Sequence, residues 1–184
     1  MPASALENDV AEVLIDEVTL QAKVAELGAL ITADYADRQV TLVSVLKGAL
    51  PFMADLMRAL TIPVRIDLME VSSYGSGTET SGRVRILKDL SSSIEGKHVL
   101  IVEDIIDSGL TLHYLIRNLG VRGPESLELA ALLVKDGIER PPLDIRYTGF
   151  HIPPEFVVGY GLDYQGLLRN LPYVGVMAED GEED

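Results

Sequence analysis

The sequence contains no cysteine in its 184 residues. That excludes a disulfide framework, Cys-ligated zinc and thiol catalysis, and it suits a reducing compartment. Basic residues are scarce as well: 15 Lys and Arg stand against 29 Asp and Glu, a formal net charge of −14 at pH 7. A surface of that sign repels nucleic acid and anionic membranes at long range, so neither is expected as a partner. If the substrate is an anion, the site must supply its own positive potential. Long apolar runs are also missing. The longest stretches without Asp, Glu, Lys or Arg are nine residues, 108–116 and 170–178, against the roughly 20 that span a bilayer. The first 17 residues carry five acids and no base, which is not the pattern of a secretory signal. These absences predict a soluble cytoplasmic protein.

Apolar content is ample. At 47% hydrophobic and 24% charged residues, the chain can bury one full core and is not disordered. No internal repeat or Pro/Gly-rich linker divides it, so a single domain over 1–184 is expected. The pattern alternates strand and helix. Residues 13–15 form a short apolar run followed by Asp16, a good N-cap. Leu20, Val24, Leu27, Leu30 and Ile31 then recur at helical spacing. Strands are expected at 40–46, 64–71, 83–87, 99–102 and 127–134, with helices at 51–60 and 108–119 and short extended pieces at 145–150, 156–160 and 173–177. Residues 72–82, SSYGSGTETSG, have no apolar anchor except Tyr74 and read as a loop. Strands separated by helices imply right-handed βαβ units and a mostly parallel sheet, with ligands at the strands' carboxyl ends.

The sharpest local signal, VLIVEDIIDSGLTL, lies at such an end. An apolar strand runs into Glu103 and Asp104, which cannot both be buried ionised and are expected in the open crevice. Asp107 follows, and Ser108, Gly109, Leu110 and Thr111 open the next helix. Backbone N–H groups and two hydroxyls at a helix N-terminus make a phosphate site. The neighbouring carboxylates suit ribose hydroxyls or a divalent cation instead. Neither a Walker motif nor GxGxxG spacing is present. The three histidines make no site: His98 begins a strand, His113 lies on a helix and His151 in a loop.

This segment resembles the phosphoribosyl pyrophosphate (PRPP) motif of the type I phosphoribosyltransferases. From about Val13 to Val176 the chain is similar to the hypoxanthine (hypoxanthine-guanine) phosphoribosyltransferases. The resemblance implies the α/β type I phosphoribosyltransferase fold: a doubly wound, mostly parallel sheet with helices on both faces. The core is expected at about 38–140, a small hood from about 10–18 and 141–178, and an acidic tail at 179–184. It further implies that Glu103 and Asp104 meet the ribose hydroxyls directly or through Mg²⁺. Asp107 becomes the base near purine N7, and Ser108, Gly109, Leu110 and Thr111 cradle the 5′-phosphate. Some members carry a basic residue where this chain has Leu110. Lys47 and Gly48, after a buried strand, resemble the pyrophosphate loop, whose Leu–Lys peptide is often cis. Ser73 and Tyr74 resemble a closing lid. Gly75, Gly77 and Gly82 would give that lid mobility, and Arg83, Arg85 and Lys88 would give its far side positive charge.

A later run, FVVGYGLDYQGLLRNLPYVGV, extends the resemblance. It assigns Lys135 to the purine 6-oxo group, Phe156 to stacking on the base, and backbone at Val157 and just before Asp163 to the other base edge. Asp163 holds a second Mg²⁺ and Arg169 meets pyrophosphate. The implied reaction is purine salvage from PRPP and a 6-oxopurine to IMP or GMP and pyrophosphate, by a homodimer or homotetramer. A xanthine-preferring transferase is the alternative within the family. A PRPP-binding regulator acting on nucleic acid needs a basic face that the charge denies it, and an inactive PRPP-binding subunit conflicts with the intact base-recognition run.

Overall fold

The computed structural model describes residues 9–73 and 84–178. The expected lid residues Tyr74, Gly75, Gly77, Gly82 and Arg83, the side chain of Ser73 and the acidic tail at 179–184 lie outside the described residues. In chain order the elements are β1 (Val10–Ile15), α1 (Glu17–Asp34), β2 (Val40–Leu46), α2 (Leu50–Ala59), β3 (Val64–Ser73), β4 (Val84–Lys88) and β5 (His98–Ile106). They continue with α3 (Leu110–Gly120), β6 (Ser126–Lys135), β7 (Tyr147–Ile152), β8 (Val157–Val158) and β9 (Val174–Met177). One sheet has the order β4-β3-β2-β5-β6-β7 and a smaller one the order β1-β9-β8. The large sheet is parallel except for β4 at its edge, and the small one is antiparallel.

Alternation along the strands places the helices. Leu42 and Val43, like Leu100 and Ile101, are neighbours in sequence but enter different cores, because successive side chains leave a strand on opposite faces. On one face Leu20, Leu27 and Ile31 of α1 and Phe52 and Leu56 of α2 pack on Leu42, Leu100 and Leu132. On the other, Leu112, Leu115 and Leu119 of α3 pack on Val43, Val99 and Leu129. Both faces are therefore apolar, and the strands read as continuous hydrophobic runs rather than alternating ones. Each fully buried leucine contributes roughly 1.5–3 kcal/mol. The start of α1 is fixed by Asp16, whose Oδ1 accepts the Thr19 N–H at 2.7 Å. None of the described helices is long and apolar enough to cross a membrane.

Three expectations are corrected. β5 does not stop at Val102 but continues to Ile106, because Glu103, Ile105 and Ile106 stay in register with Ala131, Leu133 and Val134 of β6. His151 lies in β7, not in a loop. β8 is two residues long, because the turn closed by Gly159 and Leu162 begins directly after Val158. Within 141–178, β7 joins the large sheet and β8 and β9 the small one.

From β2 the chain crosses to β3 on one side, and from β5 to β6 on the other. The carboxyl ends of β2 and β5 therefore lie side by side where the winding reverses, the place where open α/β sheets form a binding crevice.

Candidate active site

The end of β2 leads into Lys47 and Gly48, and the Leu46–Lys47 peptide is cis. Lys47 is exposed. Gly48 lies so close to the end of β5 that a Cβ there would overlap the Asp104 carboxylate. Only glycine permits that approach. Asp104 is buried, with 8% exposure, and its Oδ1 accepts the Ile105 N–H at 2.9 Å. Burial pushes its pKa up to about 6, opposed by that N–H and by the Arg169 guanidinium.

Glu103 is not brought into the crevice beside Asp104, contrary to the sequence reading. β5 persists through both residues, so their side chains leave opposite faces. The Glu103 Oε2 is fully buried and has no hydrogen-bond partner among the described residues. Burial first, and then the Asp104 charge, hold its pKa well above the usual carboxylate range.

Beyond β5, the Lys135 ammonium at the end of β6 meets Asp107 Oδ2 at 3.0 Å. Lys135 is 8% exposed, so its ammonium meets this carboxylate in place of water. The Lys135 carbonyl accepts from Arg140. At the following turn Gly109 caps α3 with φ of 67°, and no side chain accepts from the first-turn amides. That φ is costly for any residue with a Cβ. The turn thus leaves backbone donors at a helix N-terminus for an anion.

The third wall comes from the run after β7. Phe156 is 55% exposed and meets Tyr164 edge-on, at 6.0 Å between ring centroids and 83° between planes. Asp163 pairs with Arg169, and its Oδ2 accepts the Gly166 N–H at 2.7 Å. Arg169 Nη1 donates to the Gly161 carbonyl at 2.6 Å.

Gly48, Asp104, Asp107, Lys135, Phe156, Val157, Asp163 and Arg169 line one cleft of about 340 Å³. Four separated segments thus deliver the sequence-selected residues to one place. Leu162, the position just before Asp163 whose backbone the resemblance assigns to the base edge, lines it too, as does Ile105, which nothing in its residue type marks in the sequence. Tyr164, the edge-on partner of Phe156, is an aromatic of the same run to which the sequence assigns no role. Ser108, Gly109, Leu110 and Thr111 adjoin the cleft at the turn after Asp107. Lys88, expected to lend charge to the far side of the lid, donates its ammonium to the Leu68 carbonyl at 2.5 Å and faces Asp67 at 3.7 Å. A larger cleft of about 600 Å³, between β1, the start of α1 and the end of β7, holds none of the selected residues.

Among the described residues no three His, Asp or Glu side chains come together as a metal cage. A hard divalent cation would therefore take one or two carboxylates here and draw its remaining oxygen ligands from substrate and water, which is how Mg²⁺ is commonly held. The buried Asp104 carboxylate and Asp163 in the same cleft fit that donor set.

Comparison with known proteins gives these features a context. The phosphoribosyl transferase domain family matches residues 15–165. The hypoxanthine-guanine phosphoribosyltransferase of Bacillus subtilis is 48% identical over 172 residues, 94% of this chain and 96% of that protein. The bifunctional protein TilS/HprT of Listeria innocua is 50% identical over 172 residues, but this chain spans only 26% of its length. A crystal structure of a hypoxanthine phosphoribosyltransferase from Staphylococcus aureus superposes with a TM-score of 0.94 at 44% identity, covering 100% of both chains.

Proposed function

Since the chain belongs to the hypoxanthine-guanine phosphoribosyltransferase family, we propose that it is a purine-salvage enzyme, one domain working in the cytoplasm. C1 of PRPP loses pyrophosphate and bonds to a ring nitrogen of hypoxanthine or guanine, giving IMP or GMP. The observation that carries this reading is the Lys135–Asp107 pair in the cleft. An ammonium donor beside a carboxylate acceptor matches the purine edge where the O6 acceptor sits beside the N7–H donor. Adenine's 6-amino group would set donor against donor.

Lys135 then donates to O6, Asp107 takes the N7 proton as the C1–N bond forms, and the exposed face of Phe156 stacks on the base. Backbone at Val157 and Leu162 reads the opposite edge. Arg169, Lys47 and the close-packed Gly48 hold pyrophosphate, and the amides of Ser108, Gly109, Leu110 and Thr111 hold the 5′-phosphate. Ser73 and Tyr74 belong to the segment that excludes water during transfer. Asp104 and Asp163 would hold Mg²⁺, which when bound supplies charge neutralisation to the leaving pyrophosphate. Val18, Leu30 and Leu50 on the first two helices are exposed apolar residues that fit a homodimer or homotetramer contact.

The test is purine-dependent release of pyrophosphate from PRPP with hypoxanthine, guanine, xanthine and adenine compared. Turnover with hypoxanthine or guanine and none with adenine is expected. Turnover with adenine, or with xanthine alone, overturns the assignment.

A further inference from the structure

Tyr160 stands out among the residues that no substrate contact accounts for. It is a buried tyrosine with φ of 48°, in the left-handed region that residues with a Cβ rarely adopt. It sits at the tip of a tight turn in which Gly159 and Leu162 exchange both backbone hydrogen bonds at 3.0 Å. Its hydroxyl reaches away from the cleft and donates to Asp55 Oδ2 on α2 at 2.7 Å. Burial and the Asp55 acceptor hold the phenol proton in place far above neutral pH. Asp55 is itself fully engaged: Oδ2 also accepts from Gln21 on α1 at 3.0 Å, and Oδ1 from Arg58 at 3.0 Å.

Both ends of this bond lie next to the site. α2 is the helix that begins directly after Lys47 and Gly48. The residues after Tyr160 are Gly161, whose missing Cβ leaves room for the Gly48 carbonyl, and then Leu162 and Asp163, which line the cleft. Gly161 is held in turn by Arg169, through its N–H to the Arg169 carbonyl at 3.0 Å and its carbonyl to Nη1 at 2.6 Å. At the tip of the turn Gly161 is thus anchored by Arg169, and its neighbour Tyr160 by Asp55 through the side chain and by the Leu171 carbonyl, at 2.9 Å, through its N–H. Of these anchors, the bond to Asp55 is the one made to α2, the helix that follows Gly48.

We propose that Tyr160 and Asp55 are positioning residues for the purine. Their hydrogen bond fixes the 159–163 turn against the start of α2 and so sets where the Leu162 backbone meets the base. This rests on the transferase reading above, with the base between Lys135 and that turn. Neither residue touches substrate. A hydrogen bond to a charged acceptor is worth more than a neutral one, and a misplacement of about 1 Å can cost up to roughly 100-fold in an active site. Loss of the side-chain tether falls well below that limit, because the backbone bonds of Tyr160 to Leu171 and of Gly161 to Arg169 remain.

The experiment compares wild type, Tyr160→Phe, Asp55→Ala and the double variant by steady-state kinetics in both substrates, with thermal melting of each. Tyr160→Phe is expected to raise KM for hypoxanthine about tenfold while changing kcat and KM for PRPP less than about threefold. The same tyrosine change in the Asp55→Ala background should have almost no further effect on KM, because the bond is already gone. An active wild type whose KM for hypoxanthine is unchanged by Tyr160→Phe overturns the positioning role alone. That role is equally overturned if kcat and both KM values move together with the melting temperature, or if the two single effects add. A wild type that forms no nucleotide overturns the transferase reading and this inference with it.

Discussion

Replacing Asp104 by Asn should make the protein more stable and less active, and the size of the gain follows from burial. Asp104 is 8% exposed, and its pKa is raised from 3.8 to about 6. Ionising it in the folded state therefore costs about 3 kcal/mol more than in the unfolded chain, at about 1.4 kcal/mol per unit. Asn keeps an oxygen for the Ile105 N–H, now bonded at 2.9 Å, and removes the charge. The sign follows from linkage. Below pH 4 the carboxyl is protonated in both states and the substitution gains nothing. From pH 4 to 6 the wild type loses stability as pH rises, and above pH 6 the deficit is constant. Solvent reaching Asp104 from the cleft screens part of this cost, so the expected gain at pH 7.5 is about 1–3 kcal/mol. That corresponds to roughly 2–10 °C in melting temperature for a domain of this size. Urea and thermal melts in chelator at pH 4 and pH 7.5 measure it, and PRPP binding in Mg²⁺ should weaken in the same variant. A variant less stable than wild type at pH 7.5, or equally stabilised at both pH values, refutes the claim that this buried charge opposes folding.

Asp107→Ala should lower kcat by roughly 100-fold or more with a smaller change in PRPP affinity; steady-state kinetics showing unchanged turnover would remove the base from Asp107. Phe156→Ala should raise KM for hypoxanthine about tenfold, the scale of one lost base–aromatic stack, and an unaltered KM in a panel of purines contradicts stacking. Chelating divalent metal should abolish turnover and Mg²⁺ should restore it; rates that persist in chelator exclude the metal-bridged scheme. With Mg²⁺ saturating, kcat/KM for PRPP should hold or rise as ionic strength goes from 10 to 150 mM, because salt screens a repulsive body of charge −14; a severalfold fall would show attraction at long range instead.

The alternation of buried strands and helices is legible in the sequence because both faces of the large sheet are covered, and runs such as 40–46 and 127–134 have no other way to be satisfied. The site is legible for a related reason: the residues that line the cleft follow strand ends, where polar side chains interrupt apolar runs. The same logic misplaces the end of β5. A pair of carboxylates reads as a stop, since ionised acids avoid interiors. Backbone pairing with β6 is indifferent to side-chain charge, so the strand continues and carries Glu103 to the far face. Contacts made across long separations leave no local pattern. The bond from the Lys88 ammonium to the Leu68 carbonyl spans 20 residues. Tyr160 and Asp55 are 105 residues apart, and neither residue type at its position announces the other.

The scarcity of basic residues takes on a sharper meaning once the cleft is seen. Its two best-placed cations are not idle: Lys135 is paired with Asp107 and Arg169 with Asp163. In a body of charge −14, each of these two positive groups is held by an acid that also has a proposed task toward the substrate. A ligand must therefore bring groups that satisfy both members of each pair. On the proposed reading a 6-oxopurine would do so with O6 and N7–H, and pyrophosphate with its oxygens on Arg169 and a metal ion on Asp163. A bare polyanion satisfies only the cations and leaves Asp107 and Asp163 facing like charge, a mismatch worth several kcal/mol at a desolvated contact. On that reading selectivity rests on the acids retained inside the site, Asp107 and Asp163, and not on an excess of bases.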